Sequence, residues 1–132
     1  YNTIMKQKSI FLIDDDKFLL DMYSLKFSKN DFTVHTASST EEALKIIRAG
    51  IDIDILLLDI VMPGMDGIEF LTILKKEGLV KNAVIIMLTN QGLPDDTARA
   101  KKLNVDGYII KATTIPSDVL SEVERIYLSI KK

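Results

Sequence analysis

Residues 56–67 read LLLDIVMPGMDG, an apolar run that ends on Asp59 and passes directly into a turn built on Pro63, Gly64 and Gly67. An uninterrupted leucine run of this length, punctuated by turn residues, has the pattern of a strand covered on both faces, the habit of a central strand in a parallel sheet. The carboxylate at its exit admits three readings: a helix cap, a solvated loop residue or a nucleophile. The rest of the chain has to choose among them.

Outward from this stretch, short apolar runs alternate with longer amphipathic segments, the signature of repeated βα units. Strands are expected at SIFLI (9–13), FTVHTA (32–37), DILLLD (54–59), AVIIML (83–88) and GYIIK (107–111). The first, third and fourth are continuous and suit central positions, whereas FTVHTA alternates and suits an edge. Helices are expected over about 17–28, from SSTEEALKIIRAG (38–50), and over about 67–77, 95–103 and 116–130. Ser39 and Glu42 have capping-box spacing, and Gly50 stands where a left-handed stop belongs. In the first helix Phe18, Leu19, Met22, Leu25 and Lys26 fall at helical spacing; in the fifth, Val119, Leu120, Val123, Ile126 and Tyr127 face inward. The fourth carries only Ala98, Ala100 and Leu103 as apolar residues and should pack least firmly. The fold expected is α/β: a three-layer, doubly wound (βα)5 parallel sheet with strand order 2-1-3-4-5.

The bulk properties fit that reading. A chain of 132 residues is the size of one domain, and 47% hydrophobic with 27% charged residues is ordinary for a globular protein. The absence of cysteine excludes disulfides and thiolate chemistry, and the single His35 excludes a multi-histidine metal site. A net charge of -2 with interspersed signs gives no footprint for nucleic acid, so no direct nucleic-acid binding is expected. No apolar run is long enough to span a bilayer, no secretory signal pattern opens the chain, and no basic amphipathic helix suits a membrane surface. The cytoplasm is the default location. One domain is expected over 8–131, with 1–7 as an N-terminal extension and no output domain within the chain.

Polar residues collect at the carboxyl ends of the strands: Asp14, Asp15 and Asp16 after the first, Asp59 at the third, Thr89 after the fourth and Lys111 at the fifth. Ligands of open parallel sheets bind there, at the point where strand order reverses. In the order 2-1-3-4-5 that point lies between the first and third strands, which brings the aspartates together. Asp16 is the natural helix cap, leaving Asp14 and Asp15 beside Asp59. Three mutually repelling carboxylates call for a hard divalent cation, and Mg²⁺ suits a partly hydrated oxygen site. The three carboxylates, one Mg²⁺ and Lys111 sum to zero charge, so one further anion can be accepted. A phosphoryl group fits: a carboxylate can attack phosphorus while a metal, a hydroxyl and an ammonium neutralise the spread oxygens.

Taken together, IDDD (13–16), LLLDIVMPGMDG (56–67), MLTN (87–90) and DGYIIK (106–111) resemble the receiver domain of two-component response regulators, over about residues 8–131. The resemblance implies a flavodoxin-like, CheY-like fold. It further implies that Asp59 is the phosphoacceptor, and that Asp14, Asp15, Asp59 and the Val61 backbone carbonyl hold Mg²⁺. Thr89 and Lys111 would bind the phosphoryl oxygens, with Thr89 and Tyr108 forming a switch. Implied partners are a sensor histidine kinase or phosphotransfer protein, and a downstream protein target or output domain; a homodimer through the face of helix four, strand five and helix five is also compatible. Two positions depart from the family pattern: Ala112 follows Lys111 where proline is usual, and Asn90 follows Thr89 where a small residue is usual.

Two other functions compete. An aspartyl-nucleophile phosphatase or phosphotransferase would use the same nucleophile and metal, but needs a second aspartate at position 61, which is valine. A degenerate receiver acting as a protein-binding scaffold is the other. His35, on the edge strand, reads as structural.

Overall fold

The computed structural model describes residues 7–89, 94–111 and 114–131, with only the backbone described at 94–97. Among the described residues five strands and five helices alternate: β1 (Lys8–Ile13), α1 (Lys17–Ser28), β2 (Phe32–Ala37), α2 (Thr40–Arg48), β3 (Ile55–Asp59), α3 (Gly67–Glu77), β4 (Val84–Thr89), α4 (Pro94–Lys102), β5 (Gly107–Ile110) and α5 (Pro116–Ile130). All four strand pairings are parallel, in the order β2-β1-β3-β4-β5. Every residue of β3 and β4 is buried, as their unbroken apolar sequences require. The departures at Asn90 and Ala112, and with them the Lys111–Ala112 peptide, lie outside the described residues.

Alternation along the strands divides the interior in two. Ile10, Leu12, Ile55, Leu57, Ile86 and Leu88 face α1 and α5, while Phe11, Ile13, Leu56, Leu58, Ile85 and Met87 face α2 and α3, with Ala100 of α4 on the same side. The molecule is thus three layers deep. Of the α4 side chains from residue 98 onward only Ala100 is buried, in keeping with that helix's thin apolar stripe. Among the described residues no helix is long and apolar enough to cross a membrane.

Caps explain most helix boundaries. Asp16 accepts from the amides of Phe18 and Leu19 and starts α1. Ser39 accepts from Glu42 N at 3.1 Å, but Glu42 Oε1 reaches back to Ser38 N, so the expected capping box is shifted by one donor. A reciprocal box forms instead at α3, between Asp66 and Glu69. Gly50 and Gly78 both take positive φ where their helices stop.

The inward face of α1 differs from expectation. Its buried residues are Leu20, Tyr23 and Phe27, whereas Phe18 and Leu25 are 73% and 58% exposed. Seven large apolar side chains crowd this helix, so spacing alone leaves its rotation open. The Asp16 cap and the edge-to-face contact of Phe27 with Phe32, centroids 5.1 Å apart, set it instead. On α5, by contrast, Val119, Leu120, Val123 and Ile126 are buried as expected, with Tyr127 at their margin.

Phe27 is fully buried, so Phe27→Ala should lower the unfolding free energy by about 3–5 kcal/mol. In urea this appears as a lower midpoint with an unchanged slope.

Candidate functional site

The strand order sets β1 between β2 and β3, so the residues that leave β1 and β3 share one crevice at the carboxyl edge of the sheet. Ile13 pairs with Leu58, which brings Asp14 level with Asp59. Each of Asp14, Asp15 and Asp59 offers a carboxylate oxygen within 4.8 Å of the other two. Asp14 and Asp59 are each only 2% exposed; Asp15 is at the surface. Lys111, one residue beyond β5, reaches across: its Nζ lies 2.8 Å from Asp14 Oδ2 and donates to Asp59 Oδ2 at 3.0 Å. Asp14 Oδ1 in turn accepts from Asp16 N at 2.9 Å, tying the crevice to the start of α1.

One ammonium does not satisfy three carboxylates. Among the described residues Asp59 Oδ1 is buried without a hydrogen-bond donor, and buried Asp14 Oδ2 has only the Lys111 ammonium, 2.8 Å away and shared with Asp59. A buried acceptor without a donor beside a second that shares one ammonium, in an all-oxygen set carrying excess negative charge, fits a hard divalent cation such as Mg²⁺.

The electrostatics carry the same signature. Burial, reinforced by the charges of Asp14 and Asp15, pushes the Asp59 carboxyl from an ordinary 3.8 up to about 6, although Lys111 pulls the other way. For Lys111, burial disfavours the charge, but the carboxylates of Asp14 and Asp59 outweigh it and hold the ammonium above its usual range. The Asp59 carboxylate faces two like charges and the Lys111 ammonium faces two opposite ones. Tyr23 of α1, fully enclosed below, is raised mainly by its burial and feels Lys111, Asp14 and Asp59 as well.

Thr89 ends β4 and is 6% exposed; it lies one residue past Leu88, the partner of Asp59. Alternation puts Thr89 on the same sheet face as Met87, and Tyr108 packs against that face from β5. Val61 follows β3 with its side chain 60% exposed, in a loop closed by Gly67 N donating to Ile60 O at 2.8 Å. A Cβ at position 67 would sit 2.3 Å from the Asp59 carbonyl oxygen, so only glycine allows this closure.

Several residues at the site lay beyond the sequence reading. Thr40 and Glu41 of α2 bond to Met65 in the same loop, and Arg99 of α4 lies 3.5 Å from Asp66 Oδ2, the α3 cap. These pairs span 24 to 33 positions and carry no local spacing signal; Asp66 with Glu69 does carry one, the capping-box interval.

The family model described as "Response regulator receiver domain" matches residues 10–123. Among curated proteins, the transcriptional regulatory protein YvrH of Bacillus subtilis is 30% identical over 129 residues, covering 97% of this chain and 51% of its own length. The chain therefore spans about half the length of the curated relatives it matches. Among solved structures, the chemotaxis protein CheY4 of Vibrio cholerae is 25% identical with a TM-score of 0.83, covering 91% of this chain and 98% of its own. A CheY-like receiver domain protein from Methanospirillum hungatei is also 25% identical, with a TM-score of 0.84 and coverage of 93% and 95%.

A raised folded-state pKa means that folding favours protonated Asp59. Its contribution to stability is complete below 3.8 and is lost as pH rises through about 6. In metal-free buffer, the unfolding free energy of Asp59→Asn relative to the parent should therefore climb between pH 4 and pH 8, by on the order of 1–3 kcal/mol. A pH-independent difference would show that Asp59 ionises as it does in the unfolded chain.

Proposed function

Because the chain belongs to the response regulator receiver domain family, we propose that it is a phosphoacceptor switch, taking a phosphoryl group on Asp59 from the phosphohistidine of a sensor kinase or phosphotransfer protein. The observation that carries this reading is the gathering of Asp14, Asp15, Asp59 and Lys111 at the carboxyl edge of the sheet. A carboxylate oxygen of Asp59 attacks phosphorus; the P–N bond breaks, its electron pair returns to the imidazole, and an acyl phosphate is left on Asp59. Lys111 already lies against Asp59 Oδ2, and its ammonium and the Thr89 hydroxyl are the protein groups assigned to the phosphoryl oxygens. Asp14, Asp15, Asp59 and the Val61 carbonyl are the residues that would hold Mg²⁺, which when bound supplies positive charge against those oxygens. Water later hydrolyses the acyl phosphate and resets the domain, so the protein is a signalling module that assists its own modification rather than a turnover enzyme.

The output is assigned to Thr89 and Tyr108. They share a sheet face with α4, so a shift of Thr89 toward the phosphoryl group would open space for Tyr108 and reshape the α4–β5–α5 surface, offered to a downstream protein, an output domain or a second copy. No direct nucleic-acid contact is assigned to this domain; the transcriptional role that the name of YvrH speaks of is said of that longer relative.

Incubation with acetyl phosphate and Mg²⁺ should add one phosphoryl mass to the parent and none to Asp59→Asn, read by intact mass under conditions that preserve acyl phosphate. Turnover of phosphate esters without an adduct would point to a phosphatase, and neither adduct nor turnover to a scaffold. Beryllium fluoride with Mg²⁺ should also move the NMR resonances of Tyr108 and its β5 neighbours; unchanged resonances there would refute the switch.

A further inference from the structure

The loop between β3 and α3 is gripped by the first turn of α2. Thr40 is fully buried, and its hydroxyl donates to the Met65 carbonyl at 2.6 Å. The Glu41 carboxylate, 3.3 Å from the same hydroxyl, accepts from Met65 N at 3.4 Å, so both polar groups of the Met65 residue are bound by α2. The amide of Glu41 itself, and then those contacts, hold the Glu41 carboxyl below its usual range. Gly64, at φ +74°, passes so close that a Cβ there would lie 3.0 Å from Glu41 Oε2. The base of the loop is closed by the Gly67–Ile60 hydrogen bond.

Between base and grip lies Val61. Its side chain is exposed, while the residues that follow are held: Met62 is buried, Gly64 lies against Glu41, and Met65 is bound by Thr40. We propose that Thr40, seconded by Glu41, is a positioning residue for the cation site, holding in place the β3–α3 loop that carries the Val61 carbonyl assigned above to the cation. This rests on the receiver reading and adds to it a residue from outside the crevice. Thr40 is not among the residues assigned to the cation or the phosphoryl group; it acts through the loop, as the outer partners of metal ligands do.

The test is a Mg²⁺ titration without phosphoryl donor, followed by the amide resonances of Asp14 and Ile60, beside urea unfolding of the same proteins. Thr40→Val keeps the shape and removes the donor; Mg²⁺ should bind about tenfold more weakly, with Thr40→Ser restoring parental affinity. Glu41→Gln, at an exposed side chain, should weaken Mg²⁺ binding to a lesser degree and serves if Thr40→Val does not fold. Parental Mg²⁺ affinity in Thr40→Val, or in Glu41→Gln where the valine variant is unfolded, would overturn the proposal even if the urea midpoint falls, because the grip would then serve stability alone. If the parent itself bound no Mg²⁺, the receiver reading would fail and this proposal with it; if the parent binds and the variants match it, only this proposal fails.

Discussion

Two buried aspartates share one lysine, and most of the site's architecture answers to that imbalance. Asp14 and Asp59 leave adjacent strands, so the sheet pairing holds their backbones side by side. Lys111 arrives from the far edge strand and reaches both. A single ammonium within 3.0 Å of each lowers the repulsion without removing it, and Asp59 is left more basic than an ordinary carboxylate. Such a centre is unsatisfied by construction. It holds its carboxylates in place while retaining acceptor capacity for something the protein does not itself supply.

Around that centre the backbone is tightly constrained where it supports the acids. Gly67 presses against the carbonyl of Asp59, Asp66 caps α3 and meets Arg99 from α4, and Asp16 both caps α1 and donates its amide to Asp14. Each helix start near the crevice is thus tied to the carboxyl edge of the sheet. The exposed Arg99–Asp66 pair contributes little to stability by itself, but it joins α4 to the loop that follows Asp59.

Strand positions, strand order and the collection of polar side chains at one edge were legible in the sequence, because continuous runs such as ILLLD and VIIMLT leave no polar face to place in water and the parallel order follows from the βα alternation. The rotation of α1 was not. Apolar residues occupy too many of its positions, and only the tertiary contact of Phe27 with Phe32 and the Asp16 cap select Leu20, Tyr23 and Phe27 over Phe18 and Leu25. Nor was the grip of Thr40 on Met65, since 25 positions separate two residues whose types are unremarkable in isolation. Local pattern shows where elements lie and what stands at their ends; which distant loop a helix start holds is settled by packing.

Asp59 shares the sheet face of Leu57, toward α1 and α5, whereas Thr89 and Tyr108 belong to the opposite face with Met87. The leucine and isoleucine wall between them is sealed along its length. Any conversation between the two sides has to pass around the rim, over the strand exits, and not through the wall. Either core can therefore exchange apolar side chains to suit its own helices while the polar contacts at the strand exits stay as they are.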